Sequence, residues 1–235
     1  MIYPVILAIV TFSITIGLML FVVPRFAMTL ASLDAELPAL TKTVMGISNS
    51  LVDYWYVYAG LFAAIAFFFR AFKKSDKGGI MWDRFKLKVP ILGKTVKATS
   101  AARFTRTMST LLRSGINVLE SMEITSRTLG NRFLEKKLYE SRNDIRKGSS
   151  VSRSIRGISE FPPMIYAMTA IGEESGTLDS ILDKAADYFE EEADAATAKL
   201  TAALEPLMII IMAVVVFIII GACGAPILTM TGSIL

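Results

Sequence analysis

Five consecutive residues, Gly172-Glu173-Glu174-Ser175-Gly176, form the most pointed chemical feature of the sequence. Two adjacent carboxylates between glycines could serve as an acid/base pair, or could join Asp179 in holding a divalent cation. Neither chemistry finds the rest of what it needs. One glycine-flanked pair falls far short of the spaced ligands of a calcium loop, and no nucleophile or cofactor motif adjoins it. The chain has no histidine, so the usual general base near neutral pH and the commonest metal ligand are both missing. The single cysteine, Cys223, has no partner for an intramolecular disulfide. Gly93-Lys94-Thr95 looks like the end of a phosphate-binding loop, but that loop needs a glycine where Lys88 stands and a strand before it. These residues predict a protein without a catalytic group, a cofactor or a resident metal. The pair Glu173 and Glu174 then needs another account, because two carboxylates at a helix C-terminus oppose its dipole by roughly 0.3–1 kcal/mol each. The N-terminus of a following helix starting near Thr177 would offset this; a basic partner surface is the alternative.

The elements around these residues are helical throughout. Phe104, Met108, Leu111 and Leu112 share one face, with Arg103, Arg106 and Arg113 opposite. Gly115 ends that helix in the left-handed conformation, and Asn117 with Glu120 opens the next, which buries Leu119, Met122 and Leu129. Asn131 starts a helix with Leu134, Leu138 and Ile145 inward, and Gly148 ends it. Ser149 or Ser150 caps a short turn. Pro162 and Pro163 stand at a helix entry, where a missing N–H costs nothing; Met164, Met168 and Ile171 are then in phase, and Gly176 closes that helix. The last helix presents Leu178, Ile181, Leu182, Ala185 and Phe189, and no turn signal interrupts it through Leu200. Residues 72–97, with Gly78-Gly79 and Pro90, read as a basic linker. No segment alternates like a half-buried strand.

Charge is polarised along this part of the chain. From Arg70 to Arg113 twelve basic residues face two acidic ones, whereas from Glu160 to Glu205 eleven acidic residues face Lys184 and Lys199. Two solvated faces account for this; alternatively the basic face meets anionic lipid or an acidic partner, and the acidic helix meets a basic one.

Hydrophobic residues make up 53% of the 235, above the roughly 45–50% of soluble domains. Three segments are apolar over a length near the ~17–25 residues that a bilayer requires: Val5 to Val23, Leu51 to Ala71 and Pro206 to Leu235. The first has no basic region before it and no small-residue cleavage site after it, which favours a membrane span over a signal peptide. Basic residues crowd the stretch after the second span, whereas the loop from Pro24 to Ser50 holds only Arg25 and Lys42. The large domain is therefore expected inside and the loop outside. No span carries an ionisable residue near its middle, which disfavours a pump or channel. Gly60 with Ala64 and Gly221 with Ala225 allow close helix packing. Glu205-Pro206 marks the membrane entry, where the proline should kink the helix. The expected fold is an all-α membrane protein: three transmembrane helices plus one cytoplasmic bundle of about six helices. Its segments are a first span (1–24), a periplasmic loop (25–50), a second span (51–71), the linker (72–97), the bundle (98–205), a third span (206–230) and a periplasmic tail (231–235).

Ordered motifs run along nearly the whole chain: Tyr3-Pro4, Val23-Pro24, Glu36-Leu37-Pro38 followed by Thr41, Pro90 to Gly93, and Arg103-Phe104 through Leu111-Leu112 to Ser114-Gly115. Phe161-Pro162-Pro163-Met164, the 172–176 stretch with Leu178-Asp179, Glu205-Pro206 and Pro226-Ile227 complete them. In this combination the chain resembles the GspF/PilC family, the inner-membrane platform proteins of type II secretion systems and type IV pili. The resemblance implies a platform that is not itself an enzyme and links a cytoplasmic secretion ATPase to insertion or extraction of pilin-like or pseudopilin subunits. It implies a bacterial inner-membrane location, other platform components as neighbours, self-association, contact with membrane lipid, and no nucleic acid. By the same analogy Arg103, Arg106, Arg113, Glu173 and Glu174 are candidates for partner or self-association surfaces. Such proteins carry two related cytoplasmic domains, and this chain resembles the C-terminal half; the first domain could be truncated, split off or absent. A subunit of a membrane transporter is the alternative reading.

Overall fold

The computed structural model describes residues 2–22, 24, 25, 28 and 39–232. Val23, Glu36-Leu37-Pro38 and the end of the 231–235 tail, singled out above, lie outside the described residues. The described residues are helical, with no strand among them. They form two compact units, Met1–Phe68 with Thr201–Leu235, and Phe69–Leu200.

In the first unit, α1 (Ile2–Gly17) continues into a π-helical turn, Leu18–Val22, and α2 (Ala39–Asp53) is followed by α3 (Trp55–Lys74). The segment expected as an outer loop thus carries a helix, and residues 51–53 close α2 rather than opening α3. Among the described residues, α3 and the part of α10 (Leu178–Gly232) up to Ala222 are long and apolar enough to cross a membrane; Ala8–Val22 is apolar but shorter. The side chains of α3 are exposed all round, Phe62 to 76% and Phe67 to 75%. A helix apolar on every side has no polar face to give to water, which fits a lipid surround.

α2 holds this unit together through hydroxyl groups. Val44 is buried with Ile219 and Ala222, against Leu18, Met19, Met45 and Val215. Beside this contact Thr41 Oγ1 donates to the Ala222 carbonyl at 2.6 Å and Ser48 Oγ to the Met19 carbonyl at 2.6 Å. Both acceptors stand where a proline removes the helix's own donor. Ala222 precedes Pro226 by one α-helical hydrogen-bond step, and in the π-helical pattern the partner of Met19 would be position 24, which is Pro24. Within an apolar surround an unpaired carbonyl is costly, so two side chains of α2 supply the missing donors.

The second unit is a bundle of α4 (Asp76–Lys88), α5 (Leu92–Arg113), α6 (Val118–Thr128), α7 (Arg132–Arg146), α8 (Val151–Arg156), α9 (Pro163–Ser175) and the first part of α10. Successive helices from α4 to α9 pack in sequence, except that α4 also lies against α7. Phe104, Met108, Met122, Leu134, Leu138, Ile165, Leu182 and Phe189 are fully buried in one core, with Phe104 and Phe161 5.2 Å apart.

The helix ends follow local chemistry. Gly115, Gly148 and Gly176 have φ of 80°, 94° and 69°, a region open to glycine at no steric cost. Asn117 accepts from Glu120 N, Asn131 from Phe133 N and Leu134 N, and Ser150 from Arg153 N. Pro163 takes the first position of α9.

Two expectations are corrected. The stretch 72–97, expected as a linker, contains α4 and the start of α5. Gly78 and Gly79 do not break α4; they admit neighbours, since a Cβ at Gly78 would strike the Phe72 carbonyl and one at Gly79 the Arg132 side chain. The buried stripe of α9 is Ile165, Thr169 and Gly172; Met164 and Met168 pack against its edge as expected, and Ile171 is exposed instead of inward. Gly172 sets this phase, because a Cβ there would lie 2.8 Å from Leu178 Cα.

Replacing Thr41 by Val keeps the shape and removes the donor. Thr41→Val should destabilise the chain by about 1–3 kcal/mol, the cost of leaving a buried acceptor unpaired. A lowered melting temperature in detergent, with Thr41→Ser close to wild type, is the expected result.

Candidate functional site

The basic helix and the acidic helix meet each other. On α5, Arg106, Ser109 and Arg113 fall at i, i+3 and i+7; on α10, Asp183, Asp187 and Glu190 fall at i, i+4 and i+7, so each set occupies one face. Arg106 reaches all three carboxylates. Its Nε and Nη2 donate to the two oxygens of Glu190 at 2.8 and 2.7 Å, a bidentate fork. Its Nη2 also donates to Asp187 Oδ1 at 2.6 Å, and its Nη1 to Asp183 Oδ1 at 2.8 Å. Arg113 Nη1 donates to Asp183 Oδ2 at 2.8 Å, and Ser109 Oγ to Asp183 Oδ1 at 3.2 Å. Only a planar guanidinium can serve three carboxylates in this way.

Hydrogen bonds to Glu190 and then Asp187 raise the Arg106 pKa above its ordinary value, outweighing burial. Reciprocally, the hydrogen bond from Arg106 holds the Glu190 carboxyl below its ordinary value, against burial and the repulsion of Asp187 and Asp183. The cluster is half exposed, so each pair contributes only about 0.2–1 kcal/mol. Its effect is to fix the register of α5 on α10, because the core residues on the inner faces of both helices are set by the same rotation.

Glu173 is the second built feature. Its carboxylate accepts from Val151 N at 2.7 Å, Ser152 N at 3.1 Å and Ser152 Oγ at 2.8 Å. It therefore caps α8, whose free N–H groups and positive dipole end favour an anion. Burial pushes the Glu173 carboxyl up, and the hydrogen bonds from the Ser152 and Val151 amides and the Ser152 hydroxyl outweigh it, leaving its pKa below the ordinary value. The expected offset at Thr177 is thus supplied at a different helix. Glu174 is exposed beside it. The three donors to Glu173 take it out of any shared site with Glu174 and Asp179, and no group of three or more His, Cys, Asp or Glu among the described residues is placed to hold a metal.

The remaining sequence candidates fall apart in space. Arg103 is exposed and belongs to neither cluster; its guanidinium lies over Gly130, where a Cβ would strike it and where φ is 72°. Gly93-Lys94-Thr95 occupies the first turn of α5. Before it Ile91 has φ 68° and ψ −62°, and Leu92 N donates to the Pro90 carbonyl at 2.8 Å. This is a strained γ-turn, not a phosphate loop after a strand. Gly115, Pro162, Pro163, Gly172 and Gly176 shape helix ends and one close contact. Glu205-Pro206 lies inside α10, which stays helical through it.

One polar residue escaped the sequence reading. Asp83 is 8% exposed, and its carboxylate accepts from Arg132 N at 2.9 Å and from Lys86 Nζ at 2.8 Å, while Asn131 Nδ2 donates to the Asp83 carbonyl at 3.1 Å. It ties α4 to the start of α7. Its place as one of only two acidic residues in a basic stretch was the available signal.

The family model described as Type II secretion system (T2SS), protein F, matches residues 104–226. The chain belongs to the type II secretion system protein F family. The matched stretch holds Arg106, Arg113, Glu173 and all of the carboxylates that Arg106 binds. The chain is 37% identical to a type IV pilus assembly protein PilC of Thermus thermophilus over 235 residues, 100% of this chain and 58% of that protein. It is 36% identical to a type IV pilus assembly protein PilC of Pseudomonas aeruginosa, over 97% of this chain and 61% of that one. It is 32% identical to a type II secretion system protein F of Pseudomonas aeruginosa, over 98% of this chain and 57% of that protein. This family member thus spans somewhat over half the length of these relatives.

With three carboxylates on one guanidinium, Arg106→Ala should cost about 1–3 kcal/mol, and Arg106→Lys should recover only part of it because the fork is lost. Glu173 and Glu190 are both held below their ordinary value of 4.5. The stability they contribute is complete above that pH and is lost as the pH falls through their lower folded-state values. Melting temperature should therefore drop on acidification below about 4.5, with a shallower slope in Arg106→Ala. For the cap, Glu173→Ala should cost about 0.5–2 kcal/mol, seen as faster hydrogen exchange at Val151 and Ser152 with the α6 amides unchanged.

Proposed function

We propose that this chain forms part of an inner-membrane platform of a type II secretion or type IV pilus machine. It couples a cytoplasmic secretion ATPase to the insertion or extraction of pilin-like subunits, and acts by contact and movement rather than by catalysis. In this reading α1, α3 and the apolar part of α10 are three membrane crossings. The bundle lies in the cytoplasm, and the C-terminus lies in the periplasm. The alignment of nearly the whole chain with relatives named for both machines carries the proposal. Two further observations support it. The basic residues that follow α3 fit a cytoplasmic bundle. One helix, α10, contributes both the carboxylates held by Arg106 and the apolar run Leu207 to Ile220. Displacement of α5 by a partner would act on the same helix that enters the membrane.

Arg106, Arg113 and Glu173 have intramolecular partners, so the exposed Arg103 and Glu174 are the positions assigned to contacts with the ATPase, with other platform components or with a second copy.

The detergent-solubilised chain should hydrolyse no ATP alone and should co-purify with the secretion ATPase of its own cell; absence of binding when the rest of the platform is supplied contradicts the reading. In intact cells, on a Cys223→Ser background, a cysteine replacing the exposed Lys42 should react with an impermeant maleimide, and one replacing the exposed Lys147 should not. The reverse pattern overturns the orientation.

A further inference from the structure

The outer face of α4 is exposed along its length, touching the rest of the bundle only at its edge, and has an unusual make-up. Lys77, Met81, Arg84, Phe85 and Lys88 fall at i, i+4, i+7, i+8 and i+11, a single stripe, and all five are exposed, Met81 to 61% and Phe85 to 59%. The opposite face is fixed in the bundle through Gly78, Gly79, Asp83 and Leu87, all buried. The rotation of the helix is thus set, and the stripe faces outward because of it. Two large apolar side chains set among three cations form the pattern of a helix lying in a membrane interface.

Three observations select anionic phospholipid as the occupant. The first is continuity: one residue, Ser75, separates α4 from α3, whose last residues are Lys73 and Lys74. The stripe therefore starts within three residues of the end of an apolar helix. The second is charge: Asp76 is the only acidic residue on α4 apart from the buried Asp83, which is paired with Lys86. The third is a groove of about 430 Å³ between α4 and α7. Arg84 and Lys137 stand over the Phe133 ring in its wall at 5.4 and 5.6 Å, with Lys77 and Lys136 beside them and Glu140 as the one carboxylate lining it. Cations held against an aromatic ring at the edge of an apolar stripe suit a phosphate-bearing headgroup better than an acyl chain.

We infer that α4 is an interfacial helix, seating Met81 and Phe85 at the level of the headgroups while Lys77, Arg84 and Lys88 hold anionic phospholipid. It rests on the reading of α3 as a membrane crossing. The side chains would reach about 5–10 Å into the boundary between headgroups and acyl chains, deep enough to be read spectroscopically.

The test uses the full chain on a Cys223→Ser background, with an environment-sensitive fluorophore on Phe85→Cys or, as control, on Lys147→Cys. Lys147 lies about 21 Å along α7 from Phe133. Each is reconstituted in vesicles of phosphatidylethanolamine with phosphatidylglycerol, or of phosphatidylcholine alone. Flotation with both kinds of vesicle checks the membrane crossing separately, and a chain that fails to float refutes that reading instead. In anionic vesicles the Phe85 probe should shift to the blue and lose quenching by iodide. A spin label near the headgroup end of the acyl chain should quench it more than one near the methyl end, and the Lys147 probe should show none of this. The triple change Lys77→Glu, Arg84→Glu, Lys88→Glu should abolish the effect. A Phe85 probe as accessible as the Lys147 probe overturns the inference, as does equal shielding in both kinds of vesicle. Shielding that appears only when an acidic protein is added, or in detergent with self-association, also overturns it and assigns the face to a protein.

Discussion

The bundle has to close a chain that is basic in its first part and acidic in its last without setting like charges against one another. Arg106 is where it does so. Its guanidinium gathers Asp183, Asp187 and Glu190, which would otherwise repel each other along one face of α10. Arg113 adds a second cation on Asp183. Each contact is modest at this exposure, yet together they admit one rotation of each helix. That rotation places Phe104 and Met108 on one side, and Leu182 and Phe189 on the other, into the same core. The charge asymmetry of the sequence is to this extent an internal matter of folding, and the surface left for partners is smaller than the raw charge count suggests.

The same economy of groups recurs where helices end or are interrupted. Glu173 would be out of place at the end of α9 if it faced only its own helix, and it is placed instead on the amides of α8. Asp83, within a basic stretch, binds the first amide of α7 and a neighbouring lysine. Thr41 and Ser48 donate to carbonyls that Pro226 and Pro24 leave without a helical donor. In each case a polar side chain from a distant element satisfies a backbone or charged group that its own helix leaves without a partner.

What could be read from sequence divides along that line. Helix ends were legible, because Gly115, Gly148, Gly176, Asn117, Asn131 and Pro163 act on residues next to them. The all-helical class was legible from periodicity. α4 was not, since Gly78 and Gly79 look like breakers until the Phe72 carbonyl and the Arg132 side chain are seen to need their space. On α9 Met164 and Met168 do pack against the core as read, but Ile171 does not, because Gly172, with no side chain, carries no hydrophobic signal and yet faces Leu178. The partners of Arg106 lie 77 to 84 residues away, beyond any local pattern. The spacings of 106, 109 and 113 and of 183, 187 and 190 each define one helix face, but nothing in the sequence pairs the two faces; that is a question of topology.

The central claim is that these charged faces belong to each other. A double-mutant cycle tests it most directly, with Arg106→Ala and Glu190→Ala made singly and together and melting measured at neutral pH. Each single change should lower the melting temperature, and the double variant should melt no lower than the weaker of the two. Losses that add in full would show that Arg106 and Glu190 act independently, and would contradict the account.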